Sequence, residues 1–262
     1  TQVDHRPDRG VLGEARRPKM SAAPRLPAGN ILGAGRAEAD SAMLDRAFIE
    51  TADYRALTQT QDFNFVVGRR GTGKTVLFQK ARIFHNSNPA NIVISDTPQE
   101  HHTIELQRLL SERAGDYRQV RAISRLLWKT HLLIETMRRL QIQGHYKLSK
   151  ASDYGYLMSY AREHKDLLRI EDTSRCRAIL ERAGHISITP DLIPGRIASV
   201  MDTEKLQKAL HTTLEYLALQ LVVLYDGLDE GWIPSEVATA VLGGLAIAAA
   251  DLKDSHSGIH GI

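Results

Sequence analysis

Hydrophobic residues recur along the chain in two patterns, as short continuous runs and as longer stretches with helical spacing. The short runs cover residues 63–67, 91–95 and 221–225 and are rich in β-branched and aromatic residues, which is typical of buried strands. Helical spacing follows or precedes them over residues 39–57, 73–84, 203–220 and 235–252. This alternation of strands and helices predicts an α/β fold with a mostly parallel sheet.

The middle of the chain, residues 100–220, has a mostly helical pattern. Its clearest helix covers residues 117–140, where one side carries Val120, Ile123, Leu126, Leu127, Ile134 and Met137. The opposite side of the same helix carries the basic stripe, which we define as Arg118, Arg121, Arg125 and Lys129. We therefore expect a large helical insertion over residues 100–220 of the α/β domain.

The two ends of the chain differ from the rest. Residues 1–30 mix arginine, proline and glycine without any aromatic residue, so we expect a disordered arm there and a domain over residues 31–262. The first methionine is Met20, and residues 1–19 are interpreted as upstream sequence. The chain stops soon after its last helical stretch, and we expect that the domain continues beyond it.

Composition limits the classes of protein that need to be considered. With 42% hydrophobic and 25% charged residues, the chain has the composition of an ordinary globular protein. Its net charge of +3 does not by itself indicate a nucleic-acid partner. Cys176 is the single cysteine, so an internal disulfide is excluded, and we expect a cytoplasmic protein. The longest apolar run, residues 237–250, is too short to cross a membrane.

The first candidate motif follows the run at residues 63–67. Residues 68–75 read GRRGTGKT, which matches the phosphate-binding pattern G-x-x-x-x-G-K-[ST] at every defined position. Glycines permit the tight turn, the loop N–H groups and the following helix attract an anion, and the lysine adds a full positive charge. The expected nucleotide-binding residues are Gly68, Arg69, Arg70, Gly71, Thr72, Gly73, Lys74, Thr75 and Val76.

The second candidate motif is LVVLYDGLDE at residues 221–230. A buried strand that ends in Asp226 would bring a carboxylate to the edge of the sheet where ligands bind. The hydroxyl of Thr75 and the carboxylate of Asp226 are oxygen ligands that suit Mg²⁺. A carboxylate just beyond the strand could activate water, and Glu230 is the first candidate for this role, with Asp229 second. An acidic turn that caps the next helix is the alternative interpretation.

Together the two motifs resemble the P-loop NTPases that carry an additional catalytic glutamate. Within that group the chain is similar to signal-transduction ATPases of the NACHT and KAP-like types, and more loosely to bacterial P-loop ATPases of phage-defence loci. The resemblance implies a three-layer α/β core, binding of ATP and Mg²⁺, and catalytic roles for Lys74 and Glu230. It also implies a homo-oligomer that acts on an effector protein, with no membrane segment.

Two other functions stay open at this point. The chain could be a nucleotide-gated interaction module with little turnover, or an ATPase that depends on DNA or RNA bound at the basic stripe. His101 and His102 are a weak candidate for a metal site, because no further ligands accompany them at a suitable spacing. Cys176 has no evident histidine partner and is not expected to be a nucleophile.

Overall fold

The structure is a computed structural model that describes residues 48–59, 65–69, 71–144, 148–170, 173–184, 189–228, 233–254 and 259–261. The first part contains helix α1 (Ala52–Gln59), helix α2 (Lys74–Asn86) and strand β1 (Asn91–Asp96). The predictions of the second helix and of the strand at 91–95 are confirmed. Of the helix predicted over 39–57, residues 52–57 are helical and residues 48–51 are not, and the side chain of Ile49 is exposed. The part of this prediction at 39–47 lies outside the described residues.

The described residues between β1 and the next strand form helices only. They are α3 (Glu100–Arg113), α4 (Tyr117–Gln143), α5 (Tyr154–Glu163), α6 (Lys165–Arg169), α7 (Ser174–Ala183), α8 (Ile193–Val200) and α9 (Thr203–Leu217), with short 3-10 turns at Leu148–Lys150 and Pro190–Leu192. Asp116 caps the start of α4, and its carboxylate accepts a hydrogen bond from the N–H of Gln119. The prediction that this part of the chain is helical is confirmed.

The last part of the chain contains strand β2 (Gln220–Tyr225), helix α10 (Glu236–Asp254) and strand β3 (Ile259–Gly261). The three strands form a parallel sheet in the order β1-β2-β3. Strand β2 pairs with β1 along its whole length, from Asn91 opposite Gln220 to Asp96 opposite Tyr225. Among the described residues, it pairs with β3 from Leu221 opposite Ile259 to Val223 opposite Gly261.

The two faces of β2 are packed differently. Ile92, Ile94, Leu221 and Val223 point into the large core, which is formed mainly by helices α3 to α10. On the opposite face, Val93, Val222 and Leu224 form a small cluster, against which Phe78 of α2 packs. Because side chains alternate between the faces of a strand, successive residues at the end of β2 are directed to opposite sides.

The predicted fold class, a three-layer α/β P-loop core, is wrong. Most described residues lie in helices, and the sheet consists of three short strands. The run at 63–67 was expected to form a strand, yet its described residues, 65–67, are not in the sheet. The side chains of Phe65 and Val67 are 68% and 93% exposed. Both edges of β2 are already paired with β1 and β3, so β2 offers this run no free edge along Leu221–Val223.

Several other predictions concern residues outside the described ranges. The arm at residues 1–30 and its boundary with the rest of the chain belong to this group, and the division into domains stays a prediction. Three candidate site residues also lie outside the described residues, namely Arg70, Asp229 and Glu230.

Candidate nucleotide-binding site

The glycine-rich loop before α2 is closed by hydrogen bonds to its own main chain. The hydroxyl of Thr72 donates to the carbonyl oxygen of Arg69 at 2.8 Å, and the ammonium group of Lys74 donates to the carbonyl oxygen of Gly68 at 2.7 Å. A Cβ atom at Gly68 would lie 2.6 Å from the Thr72 hydroxyl oxygen. Glycine at position 68 therefore leaves room for the Thr72 hydroxyl.

Two further glycines have the left-handed backbone that the turn requires. Gly71 has a φ of +82° and Gly73 has a φ of +91°. Residues other than glycine rarely adopt such backbone angles. The two glycines flank Thr72 and lead the chain directly into α2, as the motif predicts.

Helix α2 begins at Lys74, so Thr75 and Val76 lie in its first turn. No side chain among the described residues caps this end of the helix, and Gly73 occupies the cap position. The N–H groups of a first helical turn lack partners within the helix and carry a partial positive charge. This end of α2 can therefore accept an anion from the direction of the loop.

Asp226 follows β2 directly and is partly buried. Its backbone N–H donates to the carbonyl oxygen of Asp96 at 3.1 Å, which extends the pairing of β1 with β2 by one residue. The chain then turns at Gly227, which has a φ of +71°. The strand alternation directs position 226 to the same side as Val222 and Leu224, which is the side covered by α2.

A cavity of about 310 Å³ brings the two motifs to one place. Gly68, Lys74 and Asp226 all line it, while most of its other walls are apolar and include Phe78 and Leu245. The cavity does not include Thr75 among its lining residues. Of the expected ligands, Gly68, Lys74 and Asp226 line this cavity. The other described ones do not line it, namely Arg69, Gly71, Thr72, Gly73, Thr75 and Val76.

A polar cluster on the other face of the sheet was not predicted from the sequence. At its centre the carboxylate of Glu135 on α4 accepts hydrogen bonds from Arg138, Arg139 and Arg175, all at 2.9 Å or less. Burial alone would raise the pKa of Glu135, but the hydrogen bonds and charges of Arg138 and Arg175 lower it to about 2. Glu135 is therefore an anion in the folded protein at neutral pH.

Arg175 connects this cluster to helix α6 and to the residue that follows it. Its side chain is fully buried and also donates to the carbonyl oxygens of Leu167 and Ile170. A buried arginine needs several partners to compensate for lost hydration. The sequence offered no signal for it, because nothing in the local pattern distinguishes Arg175 from Arg177, which lies on the same helix and is exposed.

The cluster reaches the end of β2 through Tyr225. The Tyr225 hydroxyl lies 3.2 Å from Nε2 of His131 on α4. Burial, followed by the nearby Asp96, raises the pKa of the Tyr225 phenol, so the group is neutral. The local sequence carries no signal for this contact, because Tyr225 and His131 are 94 positions apart.

The basic stripe is partly used within the chain. The guanidinium of Arg125 forms two hydrogen bonds with the carboxylate of Asp251 on α10, at 2.5 and 2.8 Å. The guanidinium of Arg121 lies 5.4 Å from the centre of the Tyr117 ring. Arg118 and Arg121 are exposed. The basic stripe is therefore not a continuous row of charges that are all available to a partner, because Arg125 already pairs with Asp251.

The weaker candidates gain no support. The rings of His101 and His102 are 4.0 Å apart, but the described part of the chain contains no group of three or more histidine, cysteine or acidic residues arranged to hold a metal. Cys176 is fully buried in the core. Among the described helices, none combines the length and the apolar character that a membrane crossing would need.

Comparison with known proteins shows similarity to a protein of a transposon. The chain is 30% identical over 224 residues to a protein of Escherichia coli (strain K12) described as a putative transposon gamma-delta 80.3 kDa protein. The matched region is 86% of this chain and 32% of that protein, so the chain spans about a third of the length of the curated relative. No protein-family model matches the chain, and no solved structure matches it.

Proposed function

We propose that this chain binds a nucleoside triphosphate, preferably ATP, together with Mg²⁺, and hydrolyses it. The observation that carries the proposal is the shared cavity, which Gly68 and Lys74 line from the loop and Asp226 lines from the end of β2. A turn with two left-handed glycines in front of an uncapped helix is suited to binding phosphate. A threonine hydroxyl and a carboxylate are ligands that suit Mg²⁺.

Each residue has a separate role in this proposal. The main-chain N–H groups of residues 71–76 bind the β- and γ-phosphates, and Lys74 turns from the Gly68 carbonyl oxygen towards the phosphate charge. Thr75 and Asp226 hold Mg²⁺, which when bound neutralises charge on the phosphates. Glu230, or Asp229, accepts a proton from the attacking water. Those two acidic residues are proposed from the sequence motif alone.

Measurement of nucleotide binding and of phosphate release tests the proposal. We expect that Lys74→Ala lowers the affinity for ATP by at least tenfold, because a full charge near the phosphates is removed. Lys208→Ala is the matched control, since Lys208 is an exposed lysine on α9. Wild-type affinity in the Lys74 variant would reject the proposed site.

Turnover is a separate part of the proposal and needs its own variant. Glu230→Gln retains the size of the side chain and removes its basicity, so we expect ATP binding to persist while phosphate release falls by at least a hundredfold. If the wild-type chain binds ATP without releasing phosphate, the nucleotide-gated interaction module replaces the ATPase. The homo-oligomer, the effector protein and the cytoplasmic location are also proposals.

Stimulation by nucleic acid is the second candidate function. The observation in its favour is the relative, which is described as a putative transposon protein. Arg118, Arg121 and Arg125 of the basic stripe are all exposed, but Arg125 is paired with Asp251. We expect that Arg118→Glu with Arg121→Glu abolishes a salt-sensitive DNA or RNA stimulation of phosphate release. Stimulation that survives this double change would remove the stripe from the proposal.

A further inference from the structure

The end of β2 is attached to the helices through Tyr225, which also lines the cavity of the proposed phosphate site. Tyr225 and Asp226 are adjacent, and strand alternation directs their side chains to opposite faces. The Tyr225 hydroxyl lies 3.2 Å from Nε2 of His131 on α4. The ring of Trp128 lies edge-on to both the Tyr225 and the His131 rings, with centres 5.7 Å apart in each case. The tyrosine is thereby held in one orientation.

The helix that carries His131 is itself held in place. The buried guanidinium of Arg175 reaches the carbonyl oxygen of His131 at 3.4 Å and the carboxylate of Glu135 at 2.9 Å. His131 is 2% exposed and Glu135 is 3% exposed. Hydrogen bonds in such dry surroundings constrain geometry more tightly than exposed ones. His131 is therefore a fixed partner for the tyrosine rather than a mobile one.

A second attachment reaches Asp226 through the neighbouring strand. The Asp226 N–H donates to the Asp96 carbonyl oxygen at 3.1 Å. The Asp96 carboxylate in turn accepts a hydrogen bond of 3.1 Å from the hydroxyl of Thr173, which is 2% exposed and precedes α7. Two side chains of the helical part thus support the main chain at Asp226. His131 contacts Tyr225 on β2, and Thr173 contacts Asp96 on β1.

We infer that Tyr225, anchored by His131, is a positioning residue that holds Asp226 in the orientation required to bind Mg²⁺ with the nucleotide. Thr173 acts in the same way through Asp96. The inference rests on the proposed function, because it assigns Asp226 to Mg²⁺. Removal of a residue that orients a metal ligand through a hydrogen bond commonly lowers the metal affinity by about tenfold or more.

Tyr225→Phe tests the inference with the loss of one oxygen atom. Fluorescent ATP analogue binding is measured at fixed nucleotide while Mg²⁺ is titrated, and again in EDTA. We expect the Mg²⁺ concentration at half-maximal binding to rise by about threefold to tenfold, with Mg²⁺-free binding unchanged. Tyr160→Phe is the matched control, because its buried hydroxyl donates to the Met201 carbonyl oxygen at 3.1 Å, within the helical part.

Thr173→Val gives an independent test with nearly the same side-chain shape. We expect a smaller rise in the Mg²⁺ midpoint, because Thr173 acts through Asp96. Thr213→Val is its control, since Thr213 is equally buried and its hydroxyl oxygen makes no hydrogen bond among the described residues. Thermal unfolding of all four variants shows whether they are folded at the temperature of the titration.

The outcomes separate this inference from the proposed function. If wild-type binding does not depend on Mg²⁺, the assignment of Asp226 fails, and the inference fails with it. If wild-type binding depends on Mg²⁺ and Tyr225→Phe has an unchanged midpoint, the site stands and the positioning role is overturned. Equal losses with Mg²⁺ and in EDTA would also overturn it, because they indicate a general structural role. A selective rise in Tyr225→Phe, absent in Tyr160→Phe, supports the inference.

Discussion

The two faces of the small sheet differ in how firmly they are packed. On the helical face, β1 and β2 contribute to a core that extends through α3 to α10 and contains a buried ionic cluster around Glu135. On the α2 face, the buried cluster consists of Val93, Val222 and Leu224, and the segment before the loop is exposed at Phe65 and Val67. The comparison indicates that the helical face supplies most of the stability, while the loop before α2 supplies the glycine geometry for a cavity whose walls also include Val223 and Leu245 of the helical core.

Removal of Arg175 should have the largest effect on folding. Arg175→Ala would leave Glu135 buried with one fewer cation and would remove the main-chain contacts to Leu167 and Ile170. We expect the free energy of unfolding to fall by about 3–5 kcal/mol, measured by urea denaturation. Arg177→Ala on the same helix is the control and should cost much less, because that arginine is exposed. Equal losses would contradict a special role for the buried cluster.

Truncation of one apolar side chain on each face tests the comparison directly. Leu132 on α4 is fully buried, whereas Val67 before the loop is 93% exposed. We expect Leu132→Ala to lower the free energy of unfolding by about 2–5 kcal/mol and Val67→Ala to change it by about 0.5 kcal/mol or less. Denaturant unfolding measures both. A large loss for Val67→Ala would mean that residues 65–67 are packed in solution, and the contrast between the faces would disappear.

Glycine has a different role in the helical core than in the loop before α2, and alanine substitutions should separate the two roles. A Cβ atom at Gly244 on α10 would lie 2.8 Å from the backbone nitrogen of Arg125 on α4. We expect Gly244→Ala to destabilise the fold by about 1–3 kcal/mol, since the helices must move apart.

At Gly71, nothing lies within 4 Å of the added atom, but its φ is +82°. Gly71→Ala should cost about 1–2 kcal/mol of backbone strain and should weaken ATP binding, whereas Gly244→Ala should weaken ATP binding less. Unfolding curves and nucleotide titrations are compared for the pair. The reverse order of effects on binding would show that the loop does not form the phosphate site.

The smallest expected effect concerns pH. Burial, followed by the charge of Arg182, lowers the pKa of His164, although Glu163, Asp166 and Asp202 oppose the shift. A histidine whose pKa is lower in the folded state binds fewer protons than in the unfolded state, so stability is lost as the pH falls below about 6.5. Burial also lowers the pKa of His85 on α2.

We expect a decline in the free energy of unfolding between pH 7 and pH 5 that is smaller in His164→Gln than in the wild type. Lys208→Ala, which changes an exposed residue of α9, should leave the slope unchanged. A decline of equal size in His164→Gln would assign the pH dependence to other groups, such as His85.

The local elements were largely predictable, and their assembly was not. Strand β1 and helices α2, α4, α9 and α10 were expected near their observed bounds, because hydrophobic periodicity is a local property of the chain. The prediction of a strand at 63–67 was wrong for its described residues, 65–67. A run such as Phe65–Val67 becomes a strand only if it can pair with the edge of a sheet. The three-layer fold class, which the resemblance to P-loop NTPases implied, is wrong because most described residues are helical and the sheet consists of three short strands.

The site could be predicted in part for a similar reason. Gly68, Gly71, Gly73 and Lys74 are close in sequence, so their spacing already defines the loop. The contact of Tyr225 with His131 joins residues 94 positions apart, and nothing in the local pattern indicates it.

The sequence by itself determined where the chain turns and which short segments are helical or extended, because glycine geometry and side-chain spacing act over a few residues. Only the tertiary structure decided that β2 lies between β1 and β3, that Arg175 and Glu135 are buried together, and that Lys74 and Asp226 line one cavity. Those relations depend on which distant surfaces exclude water from each other, and this is a property of the whole packed chain rather than of any one segment.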